Sequence, residues 1–390
     1  MSPLFRRLLP LFVAKFLLNF VFWYSIEKLF MTSIGFDVAL IGVMVAVYSA
    51  MSVTMEVPSG ILADRWSRKG VMILAALSLA ISAAVGSLSY SVPIFLISAV
   101  FWGFFDAFAS GTAESMIYDT LLETQGHASN YQRVQGWFQT VGGVGLFVSS
   151  IIGGLIGAHF GLREVFAVSV VPALVAILAL LAFHDTKLQK ESQDTHLFTH
   201  VKQTFGAVFR NPNLSWILVS LLALAQTNNL IGEMYQTWYL ALNTPVTLYG
   251  IAGAIILSTY GIGGLATHII TRKRHVVAAL GFTVLAAAML VITHQIWALI
   301  AAQFIVGFMT YTLILVLTAQ MQVFLPSRYR AGAGSTVNTV GRIIYIGVAL
   351  LFGWIAQVMS VFGAATILMV FVLVALYSEL HSHFSRKAIQ

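Results

Sequence analysis

Ionisable and amide side chains recur at helical spacing inside segments that are otherwise built of Val, Leu, Ile, Phe and Ala. Lys15, Asn19, Trp23 and Glu27 stand four residues apart, and Trp102, Asp106, Ser110 and Glu114 repeat that interval. Gln226, Asn229, Glu233 and Gln236 follow at spacings of three and four. Such intervals gather each set on one slowly drifting helix face. An ionisable group at the centre of an apolar span costs about 2.5–3.5 kcal/mol on insertion scales, so it must face a cavity or a partner. A carboxyl group in that setting has its charged form desolvated and takes up a proton more readily. It can therefore load a proton on one side of a membrane and release it on the other. Two readings stand for Asp106, Glu233 and Glu27: a proton or cation carrier, or a structural hydrogen bond or ion pair. Asp106 lies deepest, Glu233 in an outer half-span, and Glu27 near an outer end, where Lys28 and the interface would solvate it. Arg342, in TVGRIIYIG, keeps its charge at any accessible pH and is expected to pair with Asp106 or Glu233. Glu56 and Glu114 read mainly as structural.

The elements that must position these groups follow from composition. Of 390 residues 59% are hydrophobic and 9% charged, against about 25% charged in soluble domains; the mean hydropathy is +0.88. Windows of about 20 apolar residues, long enough to cross a ~30 Å hydrocarbon core, fall at roughly 8–30, 38–62, 71–90, 92–118, 132–158, 164–183, 214–240, 247–270, 276–293, 295–320, 331–358 and 361–383. The chain is thus expected to be an all-α polytopic membrane protein with twelve transmembrane helices in two pseudo-symmetric six-helix bundles. The first window follows Arg6 and Arg7 but lacks a small-residue cleavage site and opens a series, so it reads as a true span.

Sorting the 21 Lys and Arg residues by side places all but Lys28, Arg163 and Arg342 on or near one face. The positive-inside rule makes that face cytoplasmic and puts both termini there, with the plasma (inner) membrane as the expected location. The net charge of +7 then reflects topology and attraction to lipid headgroups, with no need of nucleic acid. Zero cysteines exclude disulfides, thiolate metal sites and a cysteine nucleophile. Neither a metal nor a cofactor is expected.

One long polar segment, HDTKLQKESQDTHLFTHVKQTFGAVFRNPN at 184–213, divides six spans from six. This gives a bundle at 1–183, a cytoplasmic linker at 184–213 and a bundle at 214–390. Leu197, Val201, Phe205 and Phe209 recur every four residues within the linker, which reads either as an amphipathic helix on the leaflet or as a flexible tether. The halves echo each other: 204 residues after GILADRWSRKG (60–70), GLATHIITRKR (264–274) repeats Gly60, Arg68 and Lys69 as Gly264, Arg272 and Lys273, with His268 in place of the acid. Duplicated six-helix units of this kind are a common plan of transporters.

The stretch GILADRWSRKG resembles the signature loop between helices 2 and 3 of the major facilitator superfamily, Gly-x-Leu-Ala-Asp-Arg-x-Gly-Arg-Lys. Gly60, Leu62, Ala63, Asp64, Arg65, Arg68 and Lys69 match, and Ser67 replaces a glycine. The resemblance implies a cytoplasmic gate. Asp64 would face the N-terminus of span 11 near Ala331 to Gly334, a favourable place for a carboxylate, and Arg68 would pair with Asp119 at the end of span 4. Arg65 and Lys69 read rather as membrane anchors. It also implies that spans 1, 4, 7 and 10 line a central cavity. A second likeness lies in span 5, where Gly136, Gly145, Ser149, Ser150, Gly153 and Gly154 stand in the pattern Gly-x8-Gly-x3-Gly-Pro-x2-Gly-Gly of superfamily antiporters, with Ser-Ser for Gly-Pro. Close helix packing explains such small residues equally well.

The function expected is secondary active transport by alternating access, with proton-coupled export of hydrophobic or cationic small molecules; an uptake symporter or a flippase of lipid-like substrates is the alternative. The partners are then a small-molecule substrate, protons or another coupling cation, and the lipid bilayer, with a monomer as the working unit. Trp23, Tyr24, Trp102 and Phe105 near the expected cavity faces suit cationic or amphipathic organic molecules, while Tyr235 and Trp238 fit the membrane interface. The glycines at 261, 263 and 264 follow no strand and make no phosphate loop. His159, His268 and His294 are isolated, which argues against an intramembrane enzyme.

Overall fold

The computed structural model describes residues 3–185, 206, 214–270, 272–325 and 327–388. Every regular element among them is helical, and twelve segments are long and apolar enough to cross a membrane. The amphipathic helix expected within the linker lies outside the described residues.

The first span is not one rod. α1 (Pro3–Leu18) ends before Asn19, a 3-10 turn covers Phe22–Ser25, and α2 (Glu27–Ser33) follows. Spans 2 and 3 are α3 (Val38–Arg65) and α4 (Arg68–Ser87). Each has a side-chain cap at its start: Asp37 accepts from the Leu40 amide at 2.7 Å, and Ser67 from the Gly70 amide at 2.9 Å. Span 4 breaks between α5 (Val92–Ala109) and α6 (Thr112–Gln125) at Ser110 and Gly111, whose φ of 71° lies in the left-handed region that glycine enters without strain. Spans 5 and 6 are α7 (Tyr131–His159) and α8 (Leu162–Ala182). In the second half α9 (Ser215–Met234) turns at Tyr235 into the short α10 (Gln236–Ala241), and α11 (Val246–Ile262), α12 (Lys273–Ile292), α13 (Ile296–Val323) and α14 (Ser327–Val358) follow. The last span joins α15 (Val361–Ala364) to α16 (Thr366–Ala388).

The chain divides into two compact units, Met1–Glu191 with Asn243–Gly261, and Ser192–Leu242 with Ile262–Gln390. The eighth span, α11, therefore groups with the first unit, although the sequence division puts it in the second half. A seam of small residues accounts for this. A Cβ on Gly154 would lie 2.7 Å from the Gly250 Cα, so the two backbones meet with no side chain between them. The same face of α7 receives the broken first span. A Cβ on Gly145 would lie 2.8 Å from the Phe16 carbonyl oxygen, and one on Gly153 would run into that of Phe22. Ser149 Oγ reaches the Asn19 carbonyl at 3.5 Å, and Ser25 Oγ donates to the Ser150 carbonyl at 3.1 Å. The Asn19 carbonyl released at the helix break thus finds a partner in α7 without water.

Aromatic packing fills the outer part of the first unit. Trp23 stacks on Phe166 with centroids 5.1 Å apart, and Phe30 and Phe95 pack around the same ring. Arg163, at the start of α8, donates to the carbonyls of Ser87 and Ser89 and lies 3.9 Å over the Tyr90 ring, closing the C-terminal end of α4. The core of the second unit is aliphatic, with Leu218, Leu221, Leu224, Leu280, Leu313, Leu317 and Val372 buried together.

These contacts make Gly153→Ala an overpacking change, expected to cost about 1–3 kcal/mol and to lower the thermal midpoint of the purified protein. Gly136→Ala meets nothing within 4 Å and is expected to leave that midpoint unchanged. Equal midpoints for the two variants would contradict the packing role of the seam.

Candidate functional site: a cytoplasmic charge cluster and polar span faces

The loop between α3 and α4 is held by charge and by capping. Arg68 donates to Asp119 in a close ion pair, reaches the Ser115 carbonyl at 3.4 Å, and lies 3.6 Å from Asp64, one turn back. Asp64 itself is largely exposed, with 66% of its side chain accessible. Arg65 is exposed at the last residue of α3, where a cation suits the helix C-terminus. Ser67 does more than cap α4: its hydroxyl also donates to Asp185 at 2.8 Å. Lys69 Nζ donates to the carbonyls of Leu181 and Phe183, at 2.9 and 2.8 Å, at the end of α8. Arg7 pairs with Glu123 at 2.6 Å, tying α1 to α6. The cluster thus joins spans 1, 2, 3, 4 and 6 of one unit.

The helix breaks redistribute the expected polar faces. In the first span Asn19 sits at the break and donates to the Lys15 carbonyl at 2.8 Å. Trp23 is 2% exposed and stacked on Phe166, so it is core packing and not a cavity wall. Glu27 and Lys28 are both buried and form an ion pair with each other, where the sequence suggests solvation at the interface. Trp102 remains half-buried, with its ring 5.0 Å from Trp23, 6.0 Å from Tyr24 and 5.1 Å from Phe105. Asp106 is half-buried near the end of α5 and accepts from Ser52 of α3 at 2.6 Å. Beyond the break, Glu114 is separated from it by the turn at Ser110 and Gly111 and accepts from Gln135 and Gln139, both at 3.2 Å. Glu56 is half-buried in α3.

In the second unit the span-7 set divides. Gln226 is buried and donates to the Gly341 carbonyl at 3.1 Å, and Gln236 is buried beyond the turn at Tyr235. Asn229 and Glu233, four residues apart, stay half-buried on α9. The Asn229 carbonyl accepts from Tyr345 at 3.1 Å, three residues from the half-buried Arg342 at the middle of α14. Tyr235 and Trp238 are fully buried, not interfacial; Trp238 Nε1 donates to the Leu290 carbonyl at 3.1 Å. Tyr239 donates to Gln303, whose amide in turn donates to the Tyr235 carbonyl at 3.1 Å, so Gln303 is a packing element of α13.

A family model described as Major Facilitator Superfamily matches residues 8–344. The chain belongs to the major facilitator superfamily. It is accordingly an integral membrane transporter and not an enzyme. Among proteins of described function it is 27% identical over 207 residues to the multidrug resistance protein MdtG of Citrobacter koseri, covering 53% of this chain and 49% of that one. It is also 27% identical over 146 residues to the class H tetracycline resistance protein of Pasteurella multocida, covering 37% of this chain and 35% of that one. The matched stretches thus span half of these relatives or less. The fold is shared with solved superfamily transporters. The nucleoside transporter NupG has a TM-score of 0.75 at 15% identity, with 98% of each chain covered. A bacterial homologue of the lysosomal transporter Spinster, inward-facing and occupied, scores 0.77 at 15% identity, covering 99% of this chain and 98% of that one.

Membership gives the signature loop a setting, but two of its contacts go beyond the superfamily pattern. Ser67, where glycine is usual, supplies both the α4 cap and the Asp185 bond. A serine preceding Arg-Lys-Gly at a helix start carries an N-cap signal in the sequence, whereas nothing there indicates Asp185 as its partner. The grouping of Lys15, Glu114, Gln135 and Gln139 is likewise hidden in the sequence, because it depends on the span-4 break and on Gly142 admitting the Lys15 stem.

Shared contact between Arg68 and Asp119 predicts coupling. Arg68→Ala and Asp119→Ala should each destabilise the protein, and the double variant should lose less than their sum by about 0.5–3 kcal/mol, read from the thermal midpoints of the four proteins. Strict additivity would show the two to be independent anchors.

Proposed function

We propose that this transporter exports hydrophobic or cationic small molecules in exchange for protons, by alternating access. The observation that carries the reading is Asp106, a half-buried carboxylate within a spanning helix, with its hydrogen bond from Ser52 and the half-buried aromatic rings of Trp102 and Phe105 on the same helix. A titratable acid beside a π surface offers one site at which a proton and an organic cation compete, and such competition couples their flows. The names of the two resistance proteins support a drug-like substrate and outward direction. Glu233 and Asn229 on α9 serve as a second polar contact, and Arg342 as a fixed positive charge in the second unit. The reading includes a monomer in the plasma (inner) membrane, and the distribution of Lys and Arg supports placing both termini in the cytoplasm.

Asp64 acts as the gate charge. Its exposure and long contact with Arg68 leave it free to favour one access state over the other. Asp64→Asn is expected to slow transport while substrate binding and expression persist. Wild-type rates in that variant would remove the gating role.

Coupling is tested in proteoliposomes loaded with a lipophilic cation under an imposed proton gradient. Asp106→Asn keeps size and hydrogen bonding but cannot titrate; it should abolish gradient-driven flux while retaining exchange at zero gradient. Glu233→Gln should give the milder loss. Normal uphill flux in Asp106→Asn with loss in Glu233→Gln would move the proton to span 7. Inward accumulation driven by the gradient in wild type would replace export by symport.

A further inference from the structure

We propose that Lys15, Glu114, Gln135 and Gln139 form a recognition site for the anionic end of the substrate, so that the preferred cargo is zwitterionic, carrying a carboxylate as well as a cationic or apolar part. This rests on the export reading above and narrows it.

Lys15 stands seven residues into the first apolar window, about 10 Å by helical rise, in the cytoplasmic half of the span. Its stem lies against Gly142 of α7, where a Cβ would meet Lys15 Cε at 2.6 Å, so glycine at 142 makes the room that the lysine occupies. Nζ sits 5.2 Å from the Phe138 centroid. Among the described residues it makes neither a hydrogen bond nor an ion pair; Glu114 is the charged group whose field reaches it. An ammonium has three donors, and a ring face satisfies none of them fully.

The neighbouring groups are arranged to a different end. Both glutamine amides donate to the same oxygen of Glu114. That orientation is fixed, because a carboxylate only accepts. It leaves Gln135 Oε1 buried with no hydrogen-bond partner. Buried polar atoms left without partners are few in native proteins and each calls for a reason. Here the buried Gln135 Oε1 is unmet, and the partly exposed Lys15 ammonium, seated against Phe138 and Gly142 of the same helix, has no hydrogen bond among the described residues. Gln139 is exposed on α7 within a membrane span, where a polar side chain is costly unless it faces a cavity or a partner. A ligand carboxylate on Lys15, with a ligand donor on Gln135 Oε1, completes both. A simple cation meets only Gln135 Oε1 and is repelled by Lys15, while the Glu114 oxygen that would draw it is already engaged by both glutamine amides.

The test uses wild-type protein in proteoliposomes and three probes: a zwitterionic fluoroquinolone, its methyl ester, in which a methyl group caps the carboxylate and only the cationic charge remains, and tetraphenylphosphonium. The acid form should bind at least tenfold more tightly than the ester. Lys15→Gln should erase that preference, and Lys15→Arg should restore it; size-exclusion profiles report whether each variant is folded. The wild-type comparison of acid with ester stands even where a variant fails to fold. Transport of tetraphenylphosphonium with equal affinity for acid and ester would overturn this inference and leave the export reading standing. Gradient-driven movement of none of the three would overturn the export reading and this inference with it.

Discussion

The close approach of the first span to α7 is the constraint on which the rest of the first unit depends. A helix interrupted inside a membrane exposes carbonyls that lipid cannot satisfy. Here the interruption at Asn19 to Val21 is tolerated because α7 presents glycine where the Phe22 carbonyl arrives, a serine hydroxyl where the Asn19 carbonyl needs a donor, and the Ser150 backbone carbonyl as acceptor for the Ser25 hydroxyl. Gly145, Ser149 and Gly153, four residues apart on one face, supply approach, a hydroxyl and approach again. With the first span seated in this way, Trp23 is driven into the aromatic core and Lys15 is brought against Phe138 and Gly142 of α7. The seam also continues past the first span, since Gly154 admits Gly250 and draws α11 into the same compact unit.

What the sequence makes legible follows the strength of the physics behind each signal. Twelve apolar windows and the asymmetry of Lys and Arg are sums over many residues, and every expected window overlaps an observed span. The Arg68–Asp119 pair is legible through the signature loop. Polar faces are less so, because the four-residue rule holds only while the helix continues. The breaks at Asn19 and Gly111 have no proline to announce them, and a glycine in a glycine-rich membrane helix signals packing as readily as a turn. Burial of Tyr235 and Trp238 escapes the sequence for a related reason. Aromatic residues near a span end are ordinary at the interface, whereas here both are buried, with Trp238 held by its bond to the Leu290 carbonyl.

The internal repeat has a structural counterpart in how each signature loop is fastened. Lys69 holds the carbonyl end of α8, the last span of the first half, while Lys273, at the equivalent place 204 residues on, lies 3.8 Å from Glu379 near the end of the last span. One half uses backbone acceptors and the other a buried carboxylate that also accepts from Ser220 at 3.1 Å. The same lysine thus fastens the third span of each half to its sixth by different chemistry.

The turn at Ser110 and Gly111 makes span 4 two levers on a common pivot. The outer lever carries Asp106 and is pinned to α3 through Ser52; the inner carries Glu114 and Asp119 and is pinned to α7 and to the signature loop. An unbroken helix would lock these three acids into one rigid spacing. With a left-handed glycine at the fulcrum, Asp106 is not bound to the other two by a continuous helical ladder.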